Sequence, residues 1–271
     1  MSGGVVLVGA GPGDPDLITV AGLKALREAD VIVTDRLVPE ALLVEAGETA
    51  EIISVGKTPR GEFTPQEKIN EILIEQALAG RVVVRFKGGD PFIFGRGYEE
   101  WLACLAAGVP VSYVPGISSS IAGAGLAGIP ITHRGVTQGY TVVSGHVPPG
   151  DERCDIDWDR LAGSGLTIVI MMGVLYLPLI AKRLVAAGLD PRTPAAMVEN
   201  AGLPQMRVVR STISEISEAA KAEGMRPPAV TIIGEVAGLG ICTRPGRCVL
   251  RNFCAERLFP TWACRRATES R

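Results

Sequence analysis

The chain has 271 residues, 47% apolar and 21% charged, with a formal net charge of −2. This is the composition of a soluble globular protein with a substantial core, long enough for one large α/β domain or two ordinary ones, and nothing global points to nucleic acid or anionic membrane. No apolar run approaches the ~20 residues of a membrane-spanning helix, and MSGGVVLVGAG lacks a signal-peptide pattern, so the chain is expected in the cytoplasm with reduced thiols.

Residues 4–9 form a short apolar run ending in glycine, a first buried strand. After GAGPGDPD, Thr19 caps a helix to about Ala29, with Val20, Leu23 and Leu26 on one side. Residues 30–34 and 52–55 are the next strands, each opening into a polar loop. Thr64-Pro65-Gln66-Glu67 reads as a capping box with proline at the first helical position, and that helix ends at Gly80. Residues 81–86 are a fourth strand, a helix runs through 101–107, and 109–114 are a fifth strand. Strands alternating with helices predict βαβ units and a mainly parallel sheet.

The pattern then changes. A small-residue helix at 121–127 is followed by strands at 140–143, 166–171, 195–198, 206–210 and 229–236, with helices at 177–187 and after Thr212. The closer strand spacing predicts a mixed sheet and a second α/β domain. The expected division is 1–115, 116–240 and a tail, 241–271, outside the fold, with a cleft between the two domains. The tail holds Cys242, Cys248, Cys254 and Cys264 without a C-x-x-C pair, which disfavours zinc. No metal site is expected. The tail's seven arginines leave a basic nucleic-acid-binding arm as the non-enzymatic alternative.

The loops GAGPGD, DRLV, GKTPRGEF, KGGDPFIFGRG and PGISSS all leave carboxyl ends of strands, where open α/β sheets bind ligands. The richest is Arg85–Gly97, with four glycines, three cations and a carboxylate in thirteen residues. Its paired Gly88-Gly89 lets a ligand lie against the main chain. GAGPGD invites a dinucleotide reading, hence a NAD-dependent dehydrogenase as an alternative. Pro12, Gly13 and Pro15 fit the required G-x-G-x-x-G poorly.

VGAGPGDPDLIT, DRLV, GK, RFKGGDPFIFGRG, VPGISS and GIPITHR, in this order, resemble the tetrapyrrole methylase family over residues 4–240. The resemblance implies two α/β domains with the site between them, usually as a homodimer. It implies S-adenosylmethionine (SAM) as methyl donor, contacted by Pro12, Gly88, Gly89, Asp90, Ile93, Ser118, Ser119, Met172 and Ala201. DRLV, KGGDPFIFGRG and THR together resemble members that methylate uroporphyrinogen III at carbons 2 and 7 to give precorrin-2. A later cobalamin-pathway methylase is the alternative within the family. Asp35 is then the proton acceptor and Lys57 the proton donor. The tetrapyrrole carries eight carboxylates, and Arg36, Arg60, Lys87, Arg96, His133 and Arg134 are the cations expected to bind them. Neither nucleic acid nor membrane is an expected partner.

Overall fold

The structure, a computed structural model, describes residues 3–56 and 64–239. The expectations for Lys57, Arg60 and the cysteine-bearing tail lie outside these residues. Among the described residues two compact units emerge, one drawn from residues up to Gly123 with Asn200–Arg207, the other from Ala124–Glu199 with the described residues from Val208 onward. The division between these units falls after Gly123, with a short later segment belonging to the first unit.

The first unit holds strands β1 (Gly4–Gly9), β2 (Val31–Thr34), β3 (Glu51–Ser54), β4 (Val82–Lys87) and β5 (Val111–Val114). Their order is β3-β2-β4-β1-β5 and each described pairing is parallel. The connecting helices are α1 (Val20–Arg27), α2 (Glu40–Leu43), α3 (Gln66–Leu78) and α4 (Gly97–Ala106), and α5 (Ser119–Leu126) follows β5. Strand residues alternate between two cores, as the two-residue period requires. Val5, Leu7, Val31, Val33 and Val83 pack with Ile69 and Leu73 of α3 and Cys104 of α4. Val8, Ile32, Val84 and Phe86 pack with Leu26 of α1 and Leu42 of α2. The sheet is therefore covered on both faces, as its near-continuous apolar strands demand.

The second unit contains β6 (Tyr140–Ser144), α6 (Trp158–Ala162), β7 (Thr167–Met171), α7 (Leu177–Ala186), β8 (Pro194–Glu199), β9 (Arg207–Thr212), α8 (Ile216–Ala222) and β10 (Ala229–Ile233). Its sheet runs β6-β7-β10-β8-β9. β6 and β7 are parallel, whereas β10 is antiparallel to both β7 and β8. The core gathers Ile168, Ile170, Ile180, Leu184, Met197, Ile213 and Ile216.

Three local expectations are corrected. The capping box at Thr64 does not form: α3 begins at Gln66 after Pro65, without a side-chain cap. Gln66 turns inward to Asn70 and Glu100 instead. Val20 is 72% exposed, because in this short helix Gly22 and Leu26 face the sheet. The last strand stops at Ile233, where Gly234 at φ 140° diverts the chain into a short 3₁₀ turn over Glu235–Gly238. The Thr19 cap forms as expected, its hydroxyl accepting from Gly22 N at 3.0 Å.

Candidate active site

All strands of the first sheet are parallel, so the loops after them share one edge. The connections from β1 and β4, the neighbouring central strands, lead to helices on opposite faces, since α1 and α4 pack into different cores. A parallel sheet opens where adjacent connections diverge in this way. Here Gly11 and Gly89 exchange backbone hydrogen bonds of 3.2 and 2.7 Å. Gly9 and Gly116 let a third loop join them: a Cβ on Gly116 would stand 2.1 Å from Gly89 O and 2.7 Å from Gly9 Cα. The edge is therefore built backbone on backbone, which only glycine permits.

Around this contact the first unit assembles many of the expected SAM residues. The backbone of Ser118 and Ser119 lies 3.8–3.9 Å from where a Gly89 Cβ would be. Ser118 also serves its own helix, its hydroxyl accepting from Ser120 N at 3.3 Å. Pro12 and Ala201 meet through the Asn200–Gly202 turn: a Gly13 Cβ would stand 3.0 Å from Ala201 O, and a Gly202 Cβ 3.5 Å from Pro12 Cγ. Ile93 is 44% exposed and offers apolar surface.

Asp90 has partners inside the protein. Its carboxylate is buried and engaged within the protein: Oδ1 accepts from Phe92 N at 2.8 Å, and Oδ2 accepts from Tyr113 Oη at 2.6 Å and Gly116 N at 3.1 Å. It ties the loop after β4 to the loop after β5. Phe92 stacks on Tyr113 at 4.2 Å and meets Tyr98 and Trp101 edge-on. Burial, reinforced by the Asp90 carboxylate, pushes the Tyr113 phenol up to about 12. These ties hold a loop in which Phe94 (φ 52°) and Arg96 (φ 55°) occupy left-handed backbone, each costing about 1 kcal/mol or more.

Beneath the same edge lies a cluster of charge. Asp35, Arg85 and Lys87 share the sheet face of Val33 and Val83, because odd-numbered positions of β2 and β4 point toward α3 and α4. Arg85 is 1% exposed; its Nη2 donates to Asp35 Oδ1 at 2.7 Å, its Nε to Glu100 Oε1 at 3.0 Å and its Nη1 to Val33 O at 3.2 Å. Lys87 Nζ donates to Glu100 Oε1 at 3.0 Å and lies 3.7 Å from Asp35 Oδ2. Gln66 Nε2 completes the set on Glu100 Oε1 at 3.2 Å. Lys87, expected as a loop cation for substrate, is thus a strand residue 4% exposed whose charge is taken up internally. Burial, then the neighbouring Arg85, holds its ammonium below the ordinary lysine value, against the pull of Asp35 and Glu100. The Asp35 side chain is 31% exposed, the one carboxylate of the cluster that reaches solvent.

The other cations are surface groups. Arg36 follows Asp35 and is exposed. Arg96 forms a two-pronged pair with Glu99 at 2.9 and 2.7 Å. In the second unit, Met172 sits just past β7 at φ 55° and is 48% exposed, an unusual position for a core methionine. His133 Nδ1 is 2.8 Å from the Arg134 carbonyl, and Arg134 is exposed. No group of His, Cys, Asp and Glu able to hold a metal occurs among the described residues, and none of their helices is long and apolar enough to cross a membrane.

GAGPGD does not build a dinucleotide site. A 3₁₀ turn at Pro15–Leu17 intervenes and α1 starts only at Val20, so the glycines do not open a helix N-terminus onto a pyrophosphate. Sequence reasoning missed Glu100, Gln66 and Tyr113. Glu100 lies three residues from Gly97 on a helix that reads as amphipathic, and a charge on its inner face was the available signal.

An all-parallel sheet with a glycine-built edge, joined in one chain to a mixed-sheet unit, defines a two-unit α/β protein. The sequence profile of the Tetrapyrrole (Corrin/Porphyrin) Methylases matches residues 4–217. Over 243 residues the chain is 45% identical to a uroporphyrinogen-III C-methyltransferase of Methanocaldococcus jannaschii, covering 88% of this chain and 98% of that one. It is 45% identical over 237 residues to a siroheme synthase of Tolumonas auensis, of whose length the match spans only 50%. The crystal structure of uroporphyrin-III C-methyl transferase from Thermus thermophilus complexed with S-adenyl homocysteine superposes with a TM-score of 0.73 at 42% identity, over 88% of this chain and 100% of that one. The chain belongs to the tetrapyrrole methylase family.

Proposed function

We propose that the chain is a SAM-dependent C-methyltransferase that methylates uroporphyrinogen III at carbons 2 and 7, giving precorrin-2 for sirohaem or cobalamin synthesis. The observation that carries this reading is the match to the Methanocaldococcus jannaschii uroporphyrinogen-III C-methyltransferase over 88% of this chain and 98% of that one. Neither the dehydrogenase nor a later corrinoid methylase has comparable support. The protein acts as a cytoplasmic homodimer, and Met172 is among the residues assigned to the methyl donor.

The first unit's edge fits such a donor. Ser118 and Ser119 lie beside Gly89, giving the edge a floor of small residues, and Ile93 offers apolar surface for adenine. SAM supplies a methyl group on a sulfonium, activated for displacement. The protein contributes alignment of the attacking pyrrole carbon and control of protons. Arg36, Arg60, Arg96, His133 and Arg134 bind the acceptor's carboxylates. Once the macrocycle has gained the methyl and become cationic, it releases a proton to the Asp35 carboxylate, and Lys57 is the proton donor. Asp35 suits this role because it combines anchoring by Arg85 with partial exposure.

The test is anaerobic incubation of purified protein with enzymatically generated uroporphyrinogen III and SAM, followed by mass spectrometry of the tetrapyrroles. A gain of two methyl groups is expected, and Asp35→Asn is expected to lower the rate about a hundredfold or more. No methyl gain with SAM still bound overturns the assigned acceptor. No gain without SAM binding overturns the enzyme class.

A further inference from the structure

We propose that Glu100 is a positioning residue for proton transfer, holding Arg85 and Lys87 so that together they fix and charge-balance Asp35. The inference rests on the reading of Asp35 as proton acceptor. Glu100 is 0% exposed and lies on α4, remote in sequence from the motif that carries Asp35. One oxygen, Oε1, accepts from Arg85 Nε, Lys87 Nζ and Gln66 Nε2 at 3.0, 3.0 and 3.2 Å. Arg85 then reaches Asp35 Oδ1 at 2.7 Å, and Lys87 lies 3.7 Å from Asp35 Oδ2. Among the described residues, the charged groups facing Asp35 are Arg85 and Lys87 on β4, with Glu100 of α4 behind them.

Two cations and two carboxylates make this cluster neutral. Without the Glu100 charge, both cations depend on Asp35 alone. That ties the base into its ion pairs and disfavours its taking a proton. The step itself is simple: the pyrrole carbon's π pair forms the bond to methyl, the C–S pair stays on sulfur, and the cationic ring gives H⁺ to Asp35 while its C–H pair refills the π system. Glu100 touches none of these atoms and acts only through Arg85 and Lys87.

The experiment compares Glu100→Gln, the double variant Glu100→Gln with Lys87→Met, and Asp35→Asn. It reads kcat, the KM for uroporphyrinogen III and calorimetric affinity for S-adenosylhomocysteine. The expected result is a kcat for Glu100→Gln lower by about tenfold or more at unchanged KM and affinity. The double variant restores neutrality and recovers kcat above that of Glu100→Gln. A merely structural role gives the reverse, since the double variant loses more contacts. Wild-type kcat in Glu100→Gln, parallel loss of affinity, or a double variant slower than the single overturns the proposal. If Glu100→Gln does not fold, the double variant decides: kcat within about tenfold of wild type supports the proposal, and a lower value or a failure to fold overturns it. Wild-type kcat in Asp35→Asn sinks the Asp35 reading itself, a result distinct from all of these.

Discussion

Gly116→Ala is a one-carbon change whose consequence can be worked from the geometry. The added Cβ would stand 2.1 Å from Gly89 O, 2.7 Å from Gly9 Cα and 2.8 Å from Gly9 C. All three are backbone atoms of central strand ends, so no side chain can rotate away. Restoring ordinary contact requires a shift of about 1 Å between the loop after β5 and those after β1 and β4. Forced overpacking of this kind costs about 1–3 kcal/mol. The same shift breaks the 3.1 Å bond from Gly116 N to Asp90, a charge-assisted bond contributing about 1.5–3 kcal/mol. A loss of about 2.5–6 kcal/mol is therefore expected in urea unfolding. A displacement of about 1 Å at a binding edge also costs up to about a hundredfold in rate, so affinity for S-adenosylhomocysteine should fall with stability. Gly125→Ala is the control. It lies exposed in α5 with nothing within 4 Å of its absent Cβ, and helix propensity predicts a gain of about 0.5–1 kcal/mol. A Gly116→Ala protein with wild-type urea midpoint and wild-type ligand affinity would refute the claim that backbone contact builds this edge.

Cys104 is fully buried, and burial followed by the nearby Glu100 pushes its thiol up to about 11. Alkylation at pH 8 with peptide mapping should leave it unmodified in the native protein and modified after denaturation. Tyr113 has its phenol raised from 10.0 to about 12. The folded state therefore holds this proton more tightly, and the resulting stability is complete below pH 10 and lost as pH rises toward about 12. Tyr113→Phe abolishes that term, so the stability gap between wild type and variant should narrow across this window in urea titrations; a constant gap contradicts the assignment. Arg96→Ala removes a surface pair in which the arginine side chain is 48% exposed. It should change stability by less than about 1 kcal/mol while raising the KM for the tetrapyrrole, and an unchanged KM removes Arg96 from the substrate-binding set.

The parallel sheet was legible because its strands are short, apolar and β-branched, and because glycines mark their carboxyl ends. Val82-Val83-Val84 and the paired Gly88-Gly89 indicate both strand and ligand edge without any tertiary information. What resisted reading was polar chemistry turned inward. Arg85 and Lys87 sit two apart in a strand buried on both faces, and sequence alone reads such cations as pointing to solvent or ligand. Only the pairing of β2 with β4 brings Asp35 to them, and only the packing of α4 brings Glu100. Gln66 was missed for the same reason. It reads as an ordinary first-turn residue of α3, yet its side chain reaches a buried carboxylate 34 positions away.

Asp90 likewise turns its polar chemistry inward. Its place between two glycines and a proline suggests a ligand contact, and the family resemblance assigns it one. Its carboxylate nonetheless accepts three bonds from within the protein, two of them across 23 and 26 residues. A carboxylate so engaged has little capacity left for a ligand, and it orders the main chain that a ligand would meet. The distinction has a measurable form. If Asp90 acts through the loop, Asp90→Asn should weaken S-adenosylhomocysteine binding together with the protection of the Phe92 and Gly116 amides from hydrogen exchange. If it instead touches the ligand, affinity should fall while both amides keep wild-type protection. The geometry favours the first outcome, because the three donors are already within hydrogen-bond distance.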